Sequence, residues 1–514
     1  MSMASTMVAS VPVFGRMFKL EGEPELHDIN AWPAAMIMAS FIWFSVAVLL
    51  GISMPLTQML GLDASLFYTA VTAHGAAMAF PYVFQLMMGV GLHRAAGCLG
   101  KPLTGWLPAA AFWCMNIGGI LFTIAILMGL KISYAVMYPL PIVGVETGQW
   151  SMTSVVIGFT GIAGILLTVI LLYPVLTIKL MFFGKEREEL VLSRRTLGDP
   201  GMLGMAMAAF VLLIMGMPLL IVASAVLLAL YHIIPFAWVG WATDPLVFQF
   251  VFYIFAHNLM EAMAIMVISA VYATLPLYLA DGTRKLYSTK AANLALWILL
   301  LTSVTSFFHH FYTMFPALPS ALSYHGNIMS WGTAIGAAIT IFTVAMTIIK
   351  HGLRPEAGIM AVLMGFTLYI LDGASAIVTS NVAFSFQLHG TMWQAGHTMA
   401  VLIAMSMMWM GVLLHHYPVL TGRVLDPMRG KWFVILFTVG AIGVSYAFLA
   451  AGAAGMPRRF ASWNQEGWMI YGYLILFFGL CLALSMVIFL IDVSKARRIG
   501  EGVVASPPKA APAE

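Results

Sequence analysis

Twelve apolar runs, each about the length that spans a bilayer, leave this chain one kind of environment to fold in. They fall at residues 32–54, 67–93, 104–127, 151–174, 202–229, 247–275, 291–314, 328–349, 355–378, 391–416, 433–455 and 469–491. Lipid offers backbone amides no partner, so runs of this length must close their hydrogen bonds internally, as helices. Only 9% of the 514 residues are charged and 61% are apolar, too little charge to coat a water-soluble fold of this size. The expected fold is an all-α polytopic membrane protein. Residues 1–31 form an N-terminal segment, 32–491 a twelve-helix domain, and 492–514 a partly disordered tail rich in Ala, Pro, Gly and Lys.

Lysine and arginine sort by side. They concentrate after even-numbered runs, as in Arg284, Lys285 and Lys290 or Arg423, Arg429 and Lys431. The other side holds only Lys131, Arg458 and Arg459. The positive-inside rule puts both termini in the cytoplasm. A net charge of +4, confined to loops, speaks for membrane orientation and against nucleic-acid binding. Cys98, Cys114 and Cys481 have no paired spacing, which excludes a C-x-x-C site and a disulfide framework.

The polar exceptions inside the apolar runs carry the chemistry. In Tyr253-Ile-Phe-Ala-His257-Asn-Leu-Met-Glu261, His257 and Glu261 are four residues apart and share a helix face. A buried imidazole and carboxylate are costly unless they bind something or relay charge. The topology puts His74, His257, His309, His310 and His397 at one depth, in the outer half of the membrane. Three imidazoles, His257, His309 and His310, suit a transition metal, and an added carboxylate moves the preference from copper towards iron. His74 and His397 lie at the right depth for axial haem ligands. Asp372 is a further buried carboxylate, suited to a hydrogen bond with a ligand or to capping a cavity. His232, His325, His415 and His416 fall in loops or near run ends and are expected at the interface.

Four motifs carry a resemblance over nearly the whole chain. They are Thr72-Ala-His74-Gly75, His309-His310-Phe-Tyr-Thr313, His389-Gly-Thr-Met-Trp-Gln-Ala-Gly-His397-Thr-Met399 and Ala454-Gly-Met-Pro-Arg458-Arg459-Phe460. The sequence resembles the catalytic subunit of the haem-copper oxidase superfamily, which includes cytochrome oxidases and nitric oxide reductases. The resemblance implies a twelve-transmembrane-helix bundle of the subunit I type with two haems, b-type in this reading. It assigns His74 to a low-spin haem and His397 to a high-spin haem. His257, His309 and His310 become ligands of the non-haem metal, and Arg458 and Arg459 meet the haem propionates. His389 matches a position near those propionates.

Two departures from the oxidase pattern stand out, and the first chooses the substrate. Oxidases read His-Pro-Glu-x-Tyr on the sixth span, with the tyrosine bonded to the histidine. Here the tyrosine position is Glu261 and the proton-carrying carboxylate position is Leu259. Leucine transfers no proton, and glutamate supplies no phenolic hydrogen atom. Glu261 instead suits an iron ligand or a proton carrier. The expected activity is nitric oxide reduction at a high-spin haem and a non-haem iron, with copper as the alternative metal. A divergent terminal oxygen reductase is the runner-up, followed by a nitric oxide dismutase. The second departure is Met399, where the family has a second histidine. It is read as the partner of His74 on the low-spin haem, which would raise that haem's potential.

The eighth run carries no lysine, so the lysine-dependent proton path of the superfamily is not expected. Its hydroxyls, Ser330, Thr333, Thr340, Thr343 and Thr347, read as helix packing, and protons are expected from the outer side. The chain has no c-type haem motif and no cupredoxin segment. Electrons are therefore expected through a small electron-transfer membrane subunit from cytochrome c or another high-potential donor, with quinol as the other route. The expected location is a bacterial or archaeal cytoplasmic membrane. A transporter and a non-catalytic respiratory scaffold are the readings from other classes, and haem content and gas turnover separate them.

Overall fold

The computed structural model describes residues 24–132, 150–183, 198–314, 320–463 and 465–499. The terminal segments before 24 and after 499, and Lys185, Arg187, Arg194, Arg195 and Lys509, lie outside the described residues. Among the described residues, 12 helices are long and apolar enough to cross a membrane. They are α1 (Ala31–Met59), α2 (Ala64–Leu99), α3 (Trp106–Leu127), α4 (Met152–Phe182), α5 (Pro200–Leu230) and α6 (Pro245–Tyr278). The second half comprises α7 (Thr289–Thr313), α8 (Ser320–His351), α9 (Ala357–Ser380), α10 (Met392–Thr421), α11 (Pro427–Ala453) and α12 (Glu466–Ser494). All twelve expected spans are present.

Several helices start earlier than the hydropathy of the sequence suggests, and their caps explain why. Three open on Asp-Pro. Asp199 accepts from Gly201 N at 2.7 Å, Asp244 from Leu246 N and Val247 N at 3.0 Å, and Asp426 from Met428 N at 2.9 Å. The carboxylate satisfies amides left over at a helix start, and proline at the first position lacks the N–H that would need a partner. Hydropathy sees neither residue as part of a span.

The seventh span is not the single α-helix its apolar run suggests. The α-helix runs Thr289–Ser303, and a 3₁₀ segment, Ser306–Met314, follows. Changing helix type frees carbonyls that lipid cannot satisfy. Asn258 on α6 donates to Val304 O at 3.2 Å, and Ser306 Oγ donates to Ser303 O at 2.9 Å. The asparagine after His257 thus clasps α6 to the break, just where His309 and His310 enter the core.

Helices α9 and α10 pack very closely. A Cβ on Gly411 would lie 2.5 Å from Gly358 O, and one on Gly365 would lie 2.8 Å from Ala404 O. Small residues let two backbones meet where no hydrophobic effect drives helices together. The same contact brings Asp372 of α9 against His397 of α10. On the basic side, β1 (Arg423–Val424) pairs antiparallel with β2 (Arg497–Arg498). Arg429 Nε donates to Asp492 Oδ1 at 2.8 Å, tying the start of α11 to the end of α12.

The histidines expected at the interface differ in burial. His415 and His416 are half-buried, with His416 edge-on to His93 at 5.2 Å and His415 Nδ1 2.8 Å from Tyr278 Oη. His325 is also half-buried, with Nε2 2.9 Å from Thr305 Oγ1. His232 is exposed, as expected.

Candidate active site

The three imidazoles expected to share a metal converge. Each of His257, His309 and His310 offers one ligand atom, and these atoms lie within 4.8 Å of one another. No other such group occurs among the described residues. His257 comes from α6 and the doublet from the 3₁₀ segment. Ring centroids are 4.9 Å apart for His257 and His309, and 4.3 Å for the doublet.

Each ring is held by a different contact. His309 Nδ1 meets Ser330 Oγ of α8 at 2.8 Å, leaving Nε2 as its other ligand atom. His310 stacks on Tyr253 at 4.3 Å and 17°. His257 Nε2 lies 3.3 Å from Ser306 Oγ, while its Nδ1 is buried without a hydrogen-bond partner. An orphaned imidazole nitrogen is costly in protein, and three converging imidazoles are the donor set of a transition-metal ion. The residues present fit such an ion.

Glu261 stands beside this group and not within it. Its Oε1 is 3.8 Å from His257 Nε2. The glutamate side chain is 24% exposed to the cavity, against 8% for His257. The 3.8 Å separation exceeds a good hydrogen bond, so the carboxylate is poised between the imidazoles and the open space.

That space is one cavity of about 1000 Å³, at the top of the ~300–1,000 Å³ range of ligand sites. Every residue singled out for the site lines it: His74, His257, Glu261, His309, His310, His397, Met399, Arg458 and Arg459. The wall is otherwise mainly apolar, which suits a flat apolar macrocycle with ligating side chains.

His74 is fixed by the backbone. Its Nδ1 donates to Ala47 O at 2.7 Å. Its ring lies against α1 at Gly51, where a Cβ would sit 2.8 Å from His74 Cε1. That cradle exists only because residue 51 has no side chain. His397 is fixed by charge. Its Nδ1 lies 3.0 Å from Asp372 Oδ1. Both imidazoles therefore keep Nε2 as the remaining ligand atom, the donor an axial haem position requires.

Arg458 and Arg459 sit in a segment laced across the start of α10. Arg458 N donates to Gly390 O at 3.2 Å and Met392 N donates to Met456 O at 2.8 Å. Arg459 takes a left-handed backbone, φ 66°. Beside them, burial and then the two guanidinium charges push the His389 imidazole down to about 4. His389 is neutral at neutral pH, and the pocket suits anionic groups.

Four contacts of the site were not assigned from the sequence. Tyr253 is four residues before His257, so helical spacing signals that it shares that face. Ser375 lies one turn after Asp372. Asn258 and Ser330 give no such signal, because their partners lie on other helices. The α8 hydroxyls mostly satisfy their own helix, as in Thr340 Oγ1 to Gly336 O at 3.0 Å and Thr347 Oγ1 to Thr343 O at 2.6 Å. Ser330 alone of this row reaches an imidazole of the metal group.

Comparison with known proteins agrees with this architecture. A family model described as Cytochrome C and Quinol oxidase polypeptide I matches residues 33–482. Cytochrome c oxidase subunit 1 of Thermostichus vulcanus is 21% identical over 451 residues, 84% of this chain and 77% of the relative. Cytochrome c oxidase subunit 1 of Corynebacterium glutamicum is 22% identical over 466 residues, 86% of this chain and 74% of the relative. Quinol oxidase subunit 1 of Bacillus spizizenii is 24% identical over 181 residues, 34% of this chain but only 28% of the relative. The fold matches the solved structure of a haem-copper terminal oxidase dimer with a TM-score of 0.75 at 19% identity. That match covers 94% of this chain and 86% of the other.

Proposed function

The chain belongs to the Cytochrome C and Quinol oxidase polypeptide I family, that of haem-copper oxidase subunit I, and within it we propose that it is a membrane oxidoreductase that reduces nitric oxide. The balance is 2 NO + 2 e⁻ + 2 H⁺ → N2O + H2O. The observation that carries the reading is Glu261, a cavity-exposed carboxylate 3.8 Å from the imidazole of His257. By its resemblance to the oxidase motif, it stands at the position of that motif's tyrosine. The family implies haems and a metal site. His257, His309 and His310 would hold the non-haem metal, iron in this reading and copper in the alternative. His74 with Met399 would hold one haem and His397 the other, with Arg458 and Arg459 on the propionates. When bound, these groups supply two adjacent reducible metals and an electron entry.

The chain's own residues do the rest. The three imidazoles would fix the position of the metal because two hydroxyls, of Ser330 and Ser306, and the Tyr253 ring stack hold them. The apolar wall keeps bulk water from the reacting gas and strengthens electrostatic contacts inside. Glu261 holds a proton at its carboxyl and delivers it to oxygen leaving as water, which a leucine at residue 259 cannot do. Alternatively the carboxylate, 3.8 Å from His257 Nε2, would turn inward to add an oxygen ligand, a choice that favours iron over copper. Electrons would come from a small membrane subunit served by cytochrome c or by quinol. Relatives of both donor types are named among the matches.

Oxygen reduction is the second reading, favoured by the names of the relatives. Metal analysis of the purified complex with parallel nitric oxide and oxygen electrodes separates the two. Iron at the third site, with one N2O formed per two NO consumed and slow oxygen use, supports nitric oxide reduction. Copper at that site with fast oxygen use overturns it.

A further inference from the structure

Asp372 and Ser375 lie one turn apart on α9 and meet His397 of α10. Asp372 is 3% exposed, among the most deeply buried charged groups of the chain. A carboxylate in that position is costly unless partners hold it. Its Oδ1 has two. Ser375 Oγ donates to it at 2.8 Å, and His397 Nδ1 lies 3.0 Å away. An ionised carboxylate only accepts, so Nδ1 of His397 carries the proton and Nε2 carries the lone pair. His74 also has Nδ1 anchored, but to the neutral carbonyl of Ala47 at 2.7 Å. The two imidazoles therefore differ in what stands behind them. A full negative charge behind a ring pushes electron density towards its far nitrogen, and a peptide carbonyl does so far less.

We propose that Asp372 is a positioning residue for His397: it fixes the ring with Nε2 open to the cavity and makes it a stronger electron donor than His74. The inference rests on the reading that His397 holds a haem. Ser375 moderates the effect by taking part of the same oxygen's charge. An iron held at His397 would then stay oxidised more readily than one held at His74. Electrons delivered there are handed to substrate instead of being stored.

The test uses the purified complex with both haems. The readouts are the iron–histidine stretching frequency of the reduced high-spin haem and the midpoint potential of each haem. Asp372→Asn keeps shape and a hydrogen-bond acceptor but removes the charge. It should lower the stretching frequency and shift the ferrous-to-ferric ratio at fixed potential about tenfold, ~59 mV for one electron. The low-spin haem should not move. Ser375→Ala frees Oδ1 for His397 alone and should raise the same frequency. Unchanged frequency and potential in Asp372→Asn, or equal shifts at both haems, overturn the proposal. If Asp372→Asn loses its haem, Ser375→Ala decides alone: a rise supports the proposal and no change overturns it. The underlying reading fails separately, if His397→Gly still carries two haems by the pyridine haemochrome assay.

Discussion

The two ends of the cavity are built in opposite ways. At the His74 end, the imidazole is tied to a backbone carbonyl and pressed against Gly51, and a thioether, Met399, lines the same cavity. At the other end, three imidazoles are held by a hydroxyl, a phenol ring and a second helix, with Glu261 open beside them. Backbone and glycine contacts do not titrate and barely move. They suit a site that only passes electrons, where geometry must stay constant while charge changes. Carboxylate, hydroxyl and imidazole contacts can exchange protons, and they collect where the proposed function has protons meet substrate. The difference teaches that, under the proposed function, the electron entry and the reacting centre would be told apart by what supports their ligands.

The comparison breaks first at the reactive end. His309→Ala should remove the non-haem metal and lower nitric oxide turnover by about 10³-fold or more, since the metal supplies several kcal/mol of charge stabilisation. Metal analysis should show that ion lost with both haems kept. Loss of a haem instead would show that the two ends are not independent. Glu261→Gln should come next, with turnover reduced about 10²–10⁴-fold, the range of general acid–base catalysis. Its haem content should be normal, and wild-type turnover would remove the glutamate from the mechanism.

The His74 end answers to packing. Gly51→Ala puts a methyl 2.8 Å from the ring, and overpacking of this kind costs about 1–3 kcal/mol. The low-spin spectrum should change while the third metal and the high-spin haem stay, as optical spectra would record. Met399→Leu is gentler. The sulfur–iron charge-transfer band of the ferric low-spin haem should vanish and its potential should fall. A spectrum without that band in the parent protein would give His74 a different partner. The smallest effect concerns His389. Its folded value near 4 lies below the ordinary value near 6.5. Between those limits the unfolded chain binds the proton and the folded one does not. Stability should therefore fall as pH drops from 6.5 to 4, at most about 1.4 kcal/mol per pH unit, and be flat above. His389→Asn should lose that slope in a pH series of thermal unfolding.

Much of the centre could be read from spacing. His257 and Glu261 are one helical turn apart in one span, so their shared face follows from the sequence alone. The doublet His309 and His310 could be assigned a depth only through the expected topology, which gives its span a direction. The 3₁₀ break at the doublet could not, since Val304 and Thr305 read as ordinary span residues. The break depends on Asn258 of a different helix to satisfy the carbonyl at Val304. The Asp-Pro caps were legible in principle but lie outside the apolar runs. Ser330 was read as a packing hydroxyl, and it is one, donating to Gly326 O at 2.7 Å. Its second role appears only when α8 meets the 3₁₀ segment.

By itself, the sequence determined the twelve spans, the family, and which side chains are too costly to bury without a purpose. Burial cost and helical period are local properties, so they survive without coordinates. Only the tertiary structure decided what stands behind each ligand: Ala47 and Gly51 behind His74, Asp372 behind His397, Ser330 behind His309. Those contacts join residues 21 to 27 positions apart. They depend on how closely neighbouring helices approach, which glycines such as Gly365 and Gly411 permit but no periodicity announces.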